Sequence, residues 1–132
     1  MNHVDLETVR LFLHVLAATV WVGGQITLAA LVPALRAAGT DVPKAAARAF
    51  NRIAWPAFGV LVLTGIWNVV AEGDQDQAYQ HTLMLKYTLV LASGVTAYLH
   101  MKASSRTAMA VFGALTGLTA LATLFVGIML AG

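Results

Sequence analysis

The chain has 132 residues, of which 59% are hydrophobic and only 11% are charged, and its mean hydropathy is +0.76. A soluble domain of this length needs far more polar surface, so the composition indicates an integral membrane protein. The chain has no cysteine, which excludes disulfides and thiolate metal sites, and its net charge of +2 gives no reason to expect a nucleic-acid partner.

Four apolar stretches are long enough to cross a bilayer, for which a helix needs about 20 residues. In chain order they cover residues 9–35, 53–70, 82–101 and 107–130. The second helix should begin before its apolar stretch, because Asp41 is a suitable N-cap and Pro43 follows just inside the helix. The sequence therefore predicts an all-α fold, with residues 1–132 forming a single four-helix transmembrane bundle.

The charged residues predict how these helices are oriented. Six of the eight basic residues lie in the first and third loops: Arg36, Lys44, Arg48, Arg52, Lys102 and Arg106. An even number of spans puts both loops on one side of the membrane, and the positive-inside rule makes that side cytoplasmic. The prediction is a multi-pass protein of the bacterial inner membrane with both termini outside, in contact with membrane lipid.

Polar residues within the spans define the helix faces that we expect to point into the bundle. His14 shares a face with Trp21 and Gln25, and Arg10 lies one turn further out. The corresponding stripes on the later spans contain Thr64 and Asn68; Lys86, Ser93 and His100; and Thr116, Thr119, Thr123 and Gly127. Small and hydroxyl residues on such stripes let helices approach closely and form hydrogen bonds.

Depth in the membrane predicts which of these residues form a site. With a rise of about 1.5 Å per residue, His14, Lys86 and Asn68 fall at a similar level in the outer half of the membrane. His100 falls near the cytoplasmic interface, so it belongs elsewhere and its role stays open. The alternatives are that Lys86 extends to the outer headgroups, that His14 bonds a carbonyl or Asn68, and that Trp21 only packs.

The chemistry that best suits this site is haem binding. A neutral imidazole in a helix bundle is a good axial ligand for haem b, and Arg10 is placed to pair with a propionate. The second axial ligand stays open among Lys86, Met84, Met129, His81 and a substrate. The competing prediction is a copper site using His14 with His3 and His81. A third is a structural subunit without a cofactor, and a homo-oligomer is compatible with each.

Three segments resemble a known family. HVLAATVWVGGQITLAALVPALR, FNRIAWPAFGVLVLTGIW and LMLKYTLVLASGVTAYLH resemble the first three helices of the copper-resistance D (CopD) membrane proteins. HemJ-type protoporphyrinogen oxidases share this four-helix frame, and in them a first-helix histidine and a third-helix lysine are functional and haem b is bound.

The resemblance extends from Leu11 to about Lys102, and the fourth span matches in hydropathy alone. It implies that His14 binds the cofactor and that Lys86 is catalytic. The implied partners are a porphyrin or a quinone, and the implied activity is that of a membrane oxidoreductase.

Overall fold

The computed structural model describes residues 5–73 and 75–131, and this part of the chain is helical, without a β-strand. The elements are α1 (Leu6–Ala18), a π-helical segment (Thr19–Gly23), α2 (Gly24–Ala38), α3 (Val42–Glu72), α4 (Gln77–Lys102) and α5 (Arg106–Ala131). The first three form one continuous helix, Leu6–Ala38. Four helices are therefore long and apolar enough to cross a membrane, which confirms the predicted helical class.

The helices are longer than the apolar stretches because polar signals determine where they begin and end. The N-cap of α1 is Asp5, whose Oδ1 accepts hydrogen bonds from the Thr8 backbone N–H and hydroxyl, each at 2.9 Å. These bonds, the backbone one first, lower the pKa of Asp5. The predicted start of α3 directly after Asp41, with Pro43 in its first turn, is confirmed, but the Asp41 side chain makes no capping hydrogen bond. It ends at Glu72 and is followed by Gly73, whose φ of +69° suits glycine.

The described residues divide into two compact units, the first ending at Gly73 and the second following it. In the first unit, the helix Leu6–Ala38 runs antiparallel to α3. An aromatic cluster joins them: the Trp21 ring lies 5.3 Å from that of Trp55 and 4.6 Å from that of Phe58, centroid to centroid. Such edge and tilted contacts add to the area that these rings bury.

The π-helical segment was not predicted, and it changes the packing of the first unit. Two consecutive residues of the segment, Trp21 and Val22, are both buried, at 4% and 8% exposure. Consecutive residues of a regular α-helix point about 100° apart, so it is uncommon for both to be buried on a surface helix. The hydroxyl of Thr19, its first residue, donates to the Val15 carbonyl at 2.8 Å, and the Thr27 hydroxyl of α2 donates to the carbonyl of its last residue, Gly23, at 2.8 Å. Segments of this kind occur often at functional sites.

The second unit is the hairpin of α4 and α5, which hydroxyl groups fasten near its middle. Thr116 Oγ1 donates to the Ser93 carbonyl at 2.8 Å, and Ser93 Oγ donates to the Thr116 carbonyl at 3.2 Å. Ser93 is only 1% exposed, so a larger side chain has no room there. This reciprocal pair sets the register of the two helices.

A substitution pair tests the packing of the first unit. A Cβ at Gly24 would overlap the Phe50 ring, with Cζ at 2.6 Å, whereas a Cβ at Gly23 meets nothing within 4 Å. We expect Gly24→Ala to lower the free energy of unfolding by about 1–3 kcal/mol through overpacking, while Gly23→Ala leaves it unchanged or raises it.

The measurement is thermal unfolding in detergent, followed by circular dichroism. Equal stability of the two alanine variants would contradict a close approach between Gly24 and Phe50.

Candidate functional site

The candidate site of the first unit centres on His14, which α1 directs toward α3. Its Nδ1 lies 2.7 Å from the Thr64 hydroxyl oxygen. Gly65 lies beside the ring, where a Cβ would be 4.0 Å from His14 Cε1. Thr64 thus gives α3 a polar partner for the imidazole, and Gly65 lies next to the ring.

The hydrogen bonds of Thr64 determine which tautomer His14 adopts. The Thr64 hydroxyl donates to the Val60 carbonyl at 2.7 Å and shares this hydrogen with the Leu61 carbonyl at 3.2 Å. A hydroxyl has only one hydrogen, so its oxygen accepts from His14, and Nδ1 carries the imidazole proton. The neutral ring then has its lone pair on Nε2, which is the arrangement of a histidine that binds a metal.

Arg10 lies one turn before His14 and is buried, with 6% of its surface exposed. Its Nη2 lies 3.8 Å from Glu7 Oε1, on a side chain that is itself largely exposed. Its Nε is buried and has no hydrogen-bond partner in the described part of the chain. A buried guanidinium with an unsatisfied donor is costly by itself, so it is suited to receive an anionic group.

Asn68 supplies a second unsatisfied atom at this end of the unit. Its Oδ1 is buried and lacks a hydrogen-bond partner among residues 5–73 and 75–131. The pairing of His14 with Thr64 sets an antiparallel register in which Arg10 and Asn68 both lie one turn further along. The residue at the level of the imidazole is therefore Thr64, and Asn68 is level with Arg10.

The inward stripe continues past His14 to two further residues. Trp21 belongs to the aromatic cluster with Trp55 and Phe58 and is almost fully buried. Both side-chain amide atoms of Gln25 are buried and without a hydrogen-bond partner within the described ranges. Gln25 lies eleven residues from His14, about 16 Å along the helix, so it does not reach the imidazole.

In the second unit, Lys86 lies across α5. A Cβ at Gly127 would be 3.5 Å from Lys86 Nζ and 3.6 Å from its Cε, which is ordinary van der Waals contact, so the end of the lysine side chain lies against Gly127. His100, on the same face of α4, donates from Nδ1 to the Met109 carbonyl at 2.7 Å, since a carbonyl can only accept. Its ring rests on Gly113. Lys86, Ser93 and His100 all contact α5, as their shared face predicts.

The predicted copper site included two further histidines, His81 and His3. His81 is exposed near the start of α4, and His3 lies outside the described residues. Among residues 5–73 and 75–131, no group of three or more histidine, aspartate or glutamate side chains is placed to hold a metal ion. A site shared by His14 and Lys86, and a copper site using His81, stay predictions, since each unit is described by itself.

Comparisons with known proteins assign no family to this chain. No family model, no curated protein and no solved structure matches it. The resemblance to the CopD and HemJ-type proteins stays a prediction.

The tautomer of His14 can be tested directly. Thr64→Val removes the acceptor of the Nδ1 proton. It should lower the free energy of unfolding by about 0.6 kcal/mol, the average measured for interhelical hydrogen bonds in a membrane protein. We expect the ring to shift toward the Nε2-protonated form, whereas Thr64→Ser keeps the Nδ1-protonated form. Nitrogen chemical shifts of histidine-labelled protein report the two forms. An Nε2-protonated ring in the unsubstituted protein would contradict the assignment.

Proposed function

We propose that this chain is a haem b-binding integral membrane protein with a redox or porphyrin-related role, and that His14 is an axial ligand. The observation that carries the proposal is the hydrogen bond from His14 Nδ1 to Thr64, because it leaves the lone pair on Nε2. Haem-ligating histidines are oriented by this kind of bond at the other ring nitrogen.

The residues around His14 fit a haem group. Thr64 orients the imidazole, and Gly65 adds no side chain beside it. Arg10 supplies a buried positive charge with an unsatisfied donor, suited to a propionate, and Asn68 supplies an amide at the same level. A bound haem b would contribute one-electron transfer; the chain contributes ligation, orientation and charge neutralisation.

Lys86 is the residue that we propose to be catalytic. The end of its side chain lies against Gly127, and the residue is half-buried. An ammonium group with three donors can bind an anionic substrate or transfer a proton at Nζ. Ionisable residues within transmembrane helices are mostly functional or paired, and Lys86 makes no ion pair with another described residue.

We also propose a membrane and an orientation for this chain. The four long helices cross the bacterial inner membrane, with the turn after α4 and the loop before α3 in the cytoplasm. The distribution of basic residues supports this orientation, because all six basic residues outside the predicted spans and the N-terminal segment lie at these two connections.

The absorption spectrum of the detergent-purified protein tests the haem assignment. We expect a Soret band at about one haem per chain, its loss in His14→Ala, and its retention in the matched control His100→Ala. Arg10→Gln should keep the band and weaken haem binding, since it removes only the charge pairing. A band that survives His14→Ala would exclude this histidine as the ligand.

Elemental analysis of the same sample distinguishes haem binding from the alternative functions. A colourless protein with stoichiometric copper would favour the copper-handling function, and a protein without either would favour a structural subunit. If haem binds but protoporphyrinogen is not oxidised when a quinone is the acceptor, the proposed oxidase activity is excluded. The proposed role of the haem is then electron transfer.

Because the chain has no cysteine, single cysteines can map its orientation. Ser104→Cys lies in the turn between α4 and α5, and Gln77→Cys lies at the start of α4; both positions are exposed. In intact spheroplasts, a membrane-impermeant maleimide should label Gln77→Cys and reach Ser104→Cys only after lysis. The reverse pattern would invert the proposed topology.

A further inference from the structure

A row of basic side chains lies on the first turns of α3. Lys44, Arg48 and Arg52 follow at four-residue spacing, so they share one side of the helix with about 6 Å of rise between neighbours. All three are exposed. No hydrogen bond or ion pair joins any of them to another described residue. We refer to these three residues as the basic row.

The charge around the basic row is strongly unbalanced. Arg36, at the end of α2, adds a fourth exposed cation at this end of the first unit. Asp41 is the one carboxylate here; the other described carboxylates of the unit are Asp5, Glu7 and Glu72, at the ends of the helices that point the other way. Four cations against one carboxylate create a positive potential that attracts anions.

The length of α3 indicates where the basic row lies in a membrane. Its 31 residues extend about 46 Å, whereas the hydrocarbon layer is about 30 Å thick and the bilayer with headgroups about 40–45 Å. If residue 70 is placed at the outer edge of the hydrocarbon, the inner edge falls about 20 residues earlier, near Phe50. Arg52 and Arg48 then lie on either side of that edge, and Lys44 lies in the headgroup layer.

We propose that the basic row binds the phosphate groups of anionic phospholipids at the cytoplasmic surface. Long basic side chains on both sides of the hydrocarbon edge reach the phosphate level, and guanidinium groups donate paired hydrogen bonds to phosphate oxygens. Clusters of basic residues next to a transmembrane span recognise lipids with net negative charge. This inference depends on the membrane orientation proposed above and is independent of haem binding.

Native mass spectrometry of the full chain in detergent, titrated with phosphatidylglycerol or phosphatidylcholine, tests the proposal. We expect tighter binding of phosphatidylglycerol. Arg48→Gln combined with Arg52→Gln should weaken that binding about 25-fold, at about fivefold per cation. Lys102→Gln combined with Arg106→Gln removes the same charge at the other basic turn, and we expect it to change binding by less than about threefold.

Three results would overturn the proposal. Equal losses in the two double variants would show a general charge effect. Equal affinity for the two lipids would exclude a headgroup site. Displacement of the lipid by inorganic phosphate at millimolar concentration would indicate a site for soluble anions. Lys44→Gln, in the exposed first turn of α3, is a second test that leaves both arginines in place. It should weaken the binding of phosphatidylglycerol about fivefold, and an unchanged affinity would contradict a lipid site at the basic row. Haem content, measured in parallel, separates failure of this inference from failure of the proposed function.

Discussion

The hydrogen bond between His14 and Thr64 is the interaction on which the rest of the candidate site depends. A polar ring within an apolar helix pair is costly unless it has a partner. The Thr64 hydroxyl acts as the acceptor because its own hydrogen is directed to carbonyls of α3. This one bond therefore assigns the imidazole proton to Nδ1 and sets a register in which Arg10 and Asn68 lie at the same level of the antiparallel pair.

The polar side chains of the two units differ in whether they have hydrogen-bond partners. In the second unit, His100 bonds a main-chain carbonyl, and Ser93 and Thr116 bond each other's carbonyls, so each polar group joins α4 to α5. In the first unit, the polar atoms of Arg10, Gln25 and Asn68 include members left without a partner among the described residues. The side chains of His100, Ser93 and Thr116 thus join the two helices of the second unit, whereas the first unit has buried polar atoms for which the described residues supply no hydrogen-bond partner.

Much of the fold could be predicted because hydropathy and capping act locally. The long apolar stretches marked four helices, and Asp41 with Pro43 marked the start of α3 well before its apolar part. The faces of α4 were also predictable, since Lys86, Ser93 and His100 recur at helical spacing and contact α5. Periodicity within one helix is enough for such conclusions.

The details that decide chemistry depend on how helices pack against each other. A one-turn difference in register separates Thr64 from Asn68 as the partner of His14, and periodicity cannot distinguish them. Nor does the segment TVWVG indicate a π turn by its composition, and the burial of both Trp21 and Val22 is apparent only in the folded chain. The unsatisfied Nε of Arg10 likewise exists only once the side chain is enclosed.

The position of the aromatic cluster has a spectroscopic consequence. All three tryptophans of the chain, Trp21, Trp55 and Trp67, belong to the first unit, and the second has none. Trp21 lies seven residues from His14, about 10 Å along the helix axis, well within the range over which an iron porphyrin quenches indole emission. If haem b binds at His14 as proposed, the intrinsic fluorescence of the protein would decrease on binding and would report on the first unit alone, because the second unit has no tryptophan.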